Sequence, residues 1–103
     1  MSDVVIGIDL GTTNTCVAMM DTDGPKILQT REGHNTMPSV VALVESGGEL
    51  VGHLAKRQAV TNATNTIGGV KRLIGRRFES KEVQEALSRL SFSCVSGPNG
   101  DVR

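Results

Sequence analysis

Asp9, Gly11, Thr12, Thr13 and Asn14 stand at the end of an apolar run, Val4-Val5-Ile6-Gly7-Ile8, and bring together a carboxylate, a glycine and two hydroxyls. That set suits a polyphosphate and its metal ion. Successive backbone N–H groups in a turn form an anion-binding concavity, Gly11 permits close approach, and the Thr12 and Thr13 hydroxyls add donors. A carboxylate beside phosphate oxygens is repelled unless a cation intervenes, so Asp9 reads as a Mg²⁺ ligand, directly or through the waters that Mg²⁺ keeps. The same residues also suit an ordinary hairpin loop, because Gly, Asn, Asp and Thr all favour turns. The turn alone does not choose between the two. Neither the Gly-Lys-Ser/Thr ending of a Walker loop nor the three spaced glycines of a dinucleotide fingerprint is present.

A second candidate lies at Lys71-Arg72-Leu73-Ile74-Gly75-Arg76-Arg77-Phe78, which gathers four cations around an apolar pair. These cations fit a solvated helix end, since basic residues complement a helix C-terminus. They also fit a nucleic-acid patch, although the stretch holds one aromatic and the chain carries no net positive charge. In a third reading, one lysine completes a phosphate site built at the turn.

The elements that must position these residues follow from periodicity. Val4, Ile6 and Ile8 alternate with Val5, Gly7 and Asp9, predicting a strand; Cys16 to Met20 predicts its hairpin partner, with the phosphate turn between them. Asp21 to Pro25 reads as a turn, Lys26 to Thr30 as a third strand, and Arg31 to Pro38 as a polar loop. Val40 to Val44 and Glu49 to Val51 predict a second hairpin across Ser46-Gly47-Gly48. Leu54, Ala55, Gln58 and Ala59 suit a helix of about two turns. Asn65 or Thr66 caps a predicted second helix through Ile67, Val70, Lys71 and Ile74, weakened by Gly68-Gly69 at about 1 kcal/mol per glycine. Ser80 caps a third, with Val83, Leu87 and Leu90 along one face. Phe92 to Val95 predicts a strand, and Gly97-Pro98-Asn99-Gly100 a hairpin turn returning at Asp101. That return has three residues, Asp101 to Arg103, so the sequence reads as a truncated piece of a larger domain.

The chain has 103 residues, with eleven basic and eleven acidic side chains that cancel. Composition is that of a globular chain, not a disordered one, and no overall field favours nucleic acid or an anionic membrane. Apolar stretches of about five residues fall far below the ~20 needed to cross a bilayer, and nothing basic precedes the first of them, so a cytoplasmic location is expected. Cys16 and Cys94 lie far apart without metal-type neighbours and read as free thiols. His34 and His53 read as isolated residues with no ligand or catalytic role.

Taken together, the two anchors resemble the start of the ATPase domain of the 70-kDa heat-shock chaperones, bacterial DnaK type. The residues that carry the resemblance are Gly7-Ile8-Asp9-Leu10-Gly11-Thr12-Thr13-Asn14, Pro38-Ser39, Val51-Gly52 and Ala55-Lys56-Arg57-Gln58-Ala59-Val60-Thr61-Asn62. It continues through Asn65-Thr66 and Lys71 to Phe78, so ordered blocks span the whole chain.

The resemblance implies an actin-like (ribonuclease-H-like) ATPase fold, α/β in class, represented by part of its first lobe as a mixed sheet of hairpins with short helices. Residues 1–39 would open the nucleotide-binding core subdomain, and residues 40–103 would build part of the peripheral subdomain. It further implies that Gly11, Thr12, Thr13 and Asn14 form the first phosphate loop for ATP or ADP. Asp9 would be the Mg²⁺-linked carboxylate, through water, and Lys71 the catalytic lysine that reaches the γ-phosphate and the attacking water. Implied partners of the complete protein are unfolded client polypeptides, a J-domain co-chaperone and a nucleotide exchange factor, with no nucleic acid and no membrane. The piece alone is expected to be inactive.

Two departures stand out. Gly68-Gly69 replaces a bulky aromatic followed by a small residue, and His53-Leu54 replaces a polar-proline pair. The first is expected to loosen the helix that aims Lys71 and to weaken hydrolysis more than binding. Sugar kinases and actin-like filament proteins of the same superfold are the alternatives. The former usually place an arginine soon after the turn and lack the Lys71 to Phe78 block; the latter usually have alanine at the position of Thr13.

Overall fold

The structure, a computed structural model, describes residues 3–103. Alternation of apolar and polar residues up to Leu10 gives strand β1 (Ile6–Leu10), and the chain returns as β2 (Asn14–Asp21) in antiparallel register, Asp9 opposite Cys16 and Leu10 opposite Thr15. Strand β3 (Gly24–Leu28) continues the meander, pairing Val17 to Leu28 and Asp21 to Gly24. It begins two residues before the predicted Lys26 because Thr22-Asp23 make a tight turn, braced by the Thr22 N–H on Asp21 Oδ1 at 2.7 Å. Thr30, predicted in the strand, instead closes the next loop: its N–H donates to the His34 carbonyl (2.8 Å) and its Oγ1 accepts from the His34 N–H (3.2 Å).

The two-residue strand β4 (Met37–Pro38) then pairs with the first residues of β2, Asn14 with Pro38 and Thr15 with Met37. It occupies the stretch of β2 that β3 leaves free. After Ser39 the chain enters a second sheet, order β6-β5-β7, made of β5 (Val40–Leu43), β6 (Glu49–Val51) and β7 (Thr66–Gly68). All pairings among the described strands are antiparallel, in place of the expected mixed sheet.

Helix α1 (His53–Arg57) is shorter than predicted. Gln58 ends it by folding its side chain back onto the Ala55 carbonyl at 2.6 Å. Helix α2 (Lys81–Leu87) forms as predicted, with Ser80 Oγ accepting the Val83 N–H at 3.3 Å and Val83 fully buried. Leu90 lies in the turn beyond it.

The predicted helix from Asn65 to Ile74 does not form. Thr66–Gly68 is strand β7, whose register sets Val40 opposite Gly68 and Ala42 opposite Thr66, and Val70–Arg72 is a single 3₁₀ turn. Gly69 sits between them at φ +66°, a left-handed conformation that breaks any helix and favours glycine. The edge of β5 supplied hydrogen bonds that a local reading of residues 65–74 does not contain. At the C-terminal end the Gly97–Gly100 turn forms, but the predicted strand at Phe92–Val95 reduces to one bridge, Ser96 to Val102, with Val95 and Arg103 exchanging N–H···O bonds of 2.6 and 2.8 Å.

Ala42, Ala55, Leu73 and Val83 form the buried apolar core, drawn from β5, α1, the 3₁₀ segment and α2. Strand β1 is exposed along its whole length. The radius of gyration is 16.8 Å, against about 13 Å for a compact chain of this size, and the chain is elongated, with extents of 49 × 30 × 22 Å.

Candidate functional site

The turn between β1 and β2 is tightly folded. A Cβ on Gly11 would run into the Asn14 carbonyl oxygen, so this position has room only for glycine. Ser39 ties up the back of the turn: its Oγ donates to the Gly11 carbonyl at 2.7 Å and its N–H donates to the Thr13 carbonyl at 2.9 Å. With the Ser39 proton committed to Gly11, the 2.9 Å contact between Ser39 Oγ and Thr15 Oγ1 is donated by Thr15, a buried hydroxyl. Among the described residues neither the Thr12 nor the Thr13 N–H has a protein acceptor. Two carbonyls are therefore held inward, and two amide donors are left for a ligand.

The structure brings Lys71 to this turn across 61 residues of sequence: its Nζ donates to the Leu10 carbonyl, where β1 enters the loop. Lys71 reaches that point from the 3₁₀ turn that follows β7, not from a helix, so the expected loosening of a helix by Gly68-Gly69 has no helix to act on. Asp9 precedes Leu10 on β1 and is exposed, and its carboxylate makes no hydrogen bond or ion pair with the described residues. Thr12 is half-buried, and Thr13 and Asn14 are exposed.

A cavity of about 530 Å³ opens behind the turn, lined by Thr12 and Thr13, by Ser39 and Gly68, and by Arg72 and Arg89. The other two cations of the basic stretch turn elsewhere. Arg77 donates to the Asn99 carbonyl at 3.3 Å and its backbone forms an isolated antiparallel bridge with Asp101, and Arg76 and Arg77 line a separate cavity with Phe92 and Val102. The stretch is thus divided between two faces, which removes the basis for reading it as one nucleic-acid patch.

A polar cluster holds the sheet that delivers Lys71. Gln58 Nε2 donates to Thr66 Oγ1 at 2.8 Å, and that hydroxyl donates to the Asn62 carbonyl at 2.7 Å. Asn62 Nδ2 donates to the Leu43 carbonyl (2.8 Å) and to Gln58 Oε1 (2.9 Å), joining α1 to β5 and β7.

His34 and His53, read from sequence as isolated, lie against each other with ring centroids 3.9 Å apart and planes tilted by 49°. Burial, then the charges of His34 and Arg57, hold His53 below its ordinary range, while Glu32 acts in the opposite sense. His53 Nε2 is buried without a partner. No group of three or more His, Cys, Asp or Glu side chains among the described residues is placed to hold a metal, and Cys16 and Cys94 are free.

Ser39 and Thr15 were the site residues that sequence reasoning did not single out. The only signal was Ser39's place in the Pro38-Ser39 pair, where a small hydroxyl ahead of an apolar strand looks like an ordinary strand entry.

Comparison with known proteins adds to this geometry. A family model described as Hsp70 protein matches residues 5–103. The mitochondrial heat shock 70 kDa protein of Solanum tuberosum is 55% identical over 97 residues, which cover 94% of this chain and 14% of that protein. The chain thus spans about a seventh of that relative's length. No helix among the described residues is long and apolar enough to cross a membrane.

Proposed function

Because the chain belongs to the Hsp70 family, we propose that it forms one wall of the ATP site of a protein-folding chaperone, whose complete form hydrolyses ATP to ADP and phosphate. The family's fold is the actin-like, ribonuclease-H-like α/β ATPase fold, and the two antiparallel sheets with their short helices belong to its first lobe. A match over nearly the whole chain leaves no support for the sugar-kinase or filament alternatives. The step from one sheet to the other at Ser39 supports a subdomain boundary there, with 1–39 in the core and 40–103 in the peripheral part.

The observation that carries the reading is the meeting of the Lys71 ammonium with the Leu10 carbonyl beside a turn that has two free N–H donors. Phosphoryl transfer asks the protein chiefly for positioned positive charge and an oriented nucleophile. In this reading Gly11, Thr12, Thr13 and Asn14 cradle phosphate oxygens. Lys71 supplies charge at the γ-phosphate and orients the attacking water. A lone carboxylate does not build a metal cage, which fits Asp9 holding Mg²⁺ through water, with the remaining ligands coming from the nucleotide. The bound Mg²⁺ would neutralise charge on the phosphate oxygens.

Client polypeptides, a J-domain co-chaperone and a nucleotide exchange factor belong to the same proposal, as does assignment to the bacterial DnaK type, which rests on the blocks from Gly7 to Phe78. Cytoplasmic location also belongs to it; the potato relative is by name mitochondrial, and cell fractionation distinguishes the two.

The test is Lys71→Ala in the complete protein. Loss of one charged donor at the reacting phosphate should slow single-turnover hydrolysis by about 100- to 1,000-fold. ATP affinity should change much less. Turnover within a few-fold of wild type removes Lys71 from the site.

A further inference from the structure

We propose that Ser39 is a positioning residue of the phosphate turn: it sets the direction of the ligand-facing Thr12 N–H and braces the far end of the turn, without touching the ligand. The proposal rests on the ATP-site reading and extends it to a residue with no charge and no place in the loop itself.

The argument starts from peptide geometry. In a trans peptide the C=O of one residue and the N–H of the next point in opposite directions, and the described residues contain no cis bond. Ser39 Oγ holds the Gly11 carbonyl at 2.7 Å, so it also fixes the Thr12 N–H on the far side of the same peptide. The Ser39 N–H holds the Thr13 carbonyl at 2.9 Å and so fixes the Thr13–Asn14 peptide, the end of the turn that the Thr13 N–H precedes. One residue thus sets two peptide planes of a four-residue turn. Released, either plane could rotate and present a carbonyl oxygen, which repels phosphate.

The clamp is itself anchored. Thr15 Oγ1, on a residue with 6% of its surface exposed, donates to Ser39 Oγ and leaves that oxygen no freedom to turn away. Pro38, before Ser39, is paired to Asn14, and Val40, after it, starts β5. Ser39 therefore sits at the joint between the sheet that carries the turn and the sheet whose edge strand β7 leads to Lys71.

The test uses the complete protein with Ser39→Ala, Ser39→Thr and Thr15→Val, titrated with Mg·ATP, Mg·ADP and adenosine. Ser39→Ala removes one hydroxyl bond to a carbonyl and should weaken ATP and ADP by about five- to tenfold. Adenosine, which has no phosphate to meet the turn, should bind as to wild type. Ser39→Thr keeps the hydroxyl and should restore nucleotide affinity. Thr15→Val should weaken ATP and ADP in the same direction but less, and it keeps the question open to measurement if Ser39→Ala does not fold. Equal loss for adenosine and ATP would mark Ser39 as a purely structural residue and overturn the proposal. Unchanged ATP affinity in both Ser39→Ala and Thr15→Val overturns it too, with the ATP-site reading intact. Failure of the wild-type protein to bind Mg·ATP at all would remove the reading and the proposal together.

Discussion

Gly11→Ala is the sharpest probe of the turn, because the structure states what the new methyl group meets. A Cβ at that position collides with the Asn14 carbonyl oxygen, and the Asn14 carbonyl carbon and nitrogen follow at 3.4 and 3.7 Å. The obstacle is backbone and cannot rotate away as a side-chain tip would. Restoring an ordinary contact requires the two sides of the turn to part by about 1 Å, and displacements of that size at a reacting centre cost about 100-fold in rate. Opening the turn is resisted by the two bonds from Ser39, at 2.7 and 2.9 Å, and each is worth about 1 kcal/mol. Accommodation should therefore destabilise the chain by about 1–3 kcal/mol, the usual range for overpacking. Two assays check this. Single-turnover ATP hydrolysis by the complete protein should fall by about two orders of magnitude. The unfolding midpoint of the chain should drop by roughly 4–8 °C per kcal/mol. Hydrolysis within twofold of wild type together with an unmoved midpoint would refute the claim that Gly11 is required by close approach.

Further outcomes follow from other parts of the structure. Gly69→Ala places a methyl group in open space but in a left-handed backbone at φ +66°, so the cost is conformational alone, about 1 kcal/mol; a raised midpoint in thermal melts would contradict it. Ser80→Ala removes the α2 cap and should cost about 1 kcal/mol in chemical denaturation, with no change expected if the 3.3 Å bond to the Val83 N–H carries nothing. His53, held below its ordinary value of 6.5 chiefly by burial, binds more protons unfolded than folded, so stability should be complete above that value and fall as pH drops through it. Melting from about pH 7 to about pH 5.5 should show this decline, His53→Gln should flatten it, and an equal decline in that variant would exclude His53 as the cause. Because Ile6, Ile8 and Leu10 expose 54, 66 and 59% of their surface on strand β1, the 103-residue chain by itself should associate as its concentration rises, which light scattering would detect; a strict monomer at high concentration contradicts it.

The legible parts of the fold were those whose signals are local. Alternation in Val4 to Asp9, the turn-forming Gly11 to Asn14 and the Ser80 cap each act within a few residues, and each element forms close to where it was read. Asp9 and the turn were singled out as a candidate site for the same reason. Residues 65–74 were misread because the spacing of Ile67, Val70, Lys71 and Ile74 satisfies a helix, while the deciding partner, the free edge of β5, lies more than twenty residues away. The His34–His53 contact was invisible on the same grounds, since nothing in either neighbourhood announces the other ring. Lys71 was found only because its block matched a pattern larger than its own surroundings.

The misread segment also changes how the site is held together. A helix would have aimed Lys71 by its own hydrogen bonds, independently of the turn. Strand β7 instead pairs Gly68 with Val40, the residue after Ser39, so the support of Lys71 and the support of the turn meet at one step of the chain. A Cβ on Gly68 would lie 3.3 Å from Val40 Cγ2 and 3.7 Å from the Ser39 carbonyl oxygen, which shows how closely the two supports pack. The glycine pair then has a positive role in this chain: Gly68 lets β7 settle against the Ser39–Val40 step, and Gly69 turns the backbone left-handed so that Lys71 follows within two residues. The distance between the turn and Lys71 is thus set by β5, through Ser39 just before its start and β7 at its edge.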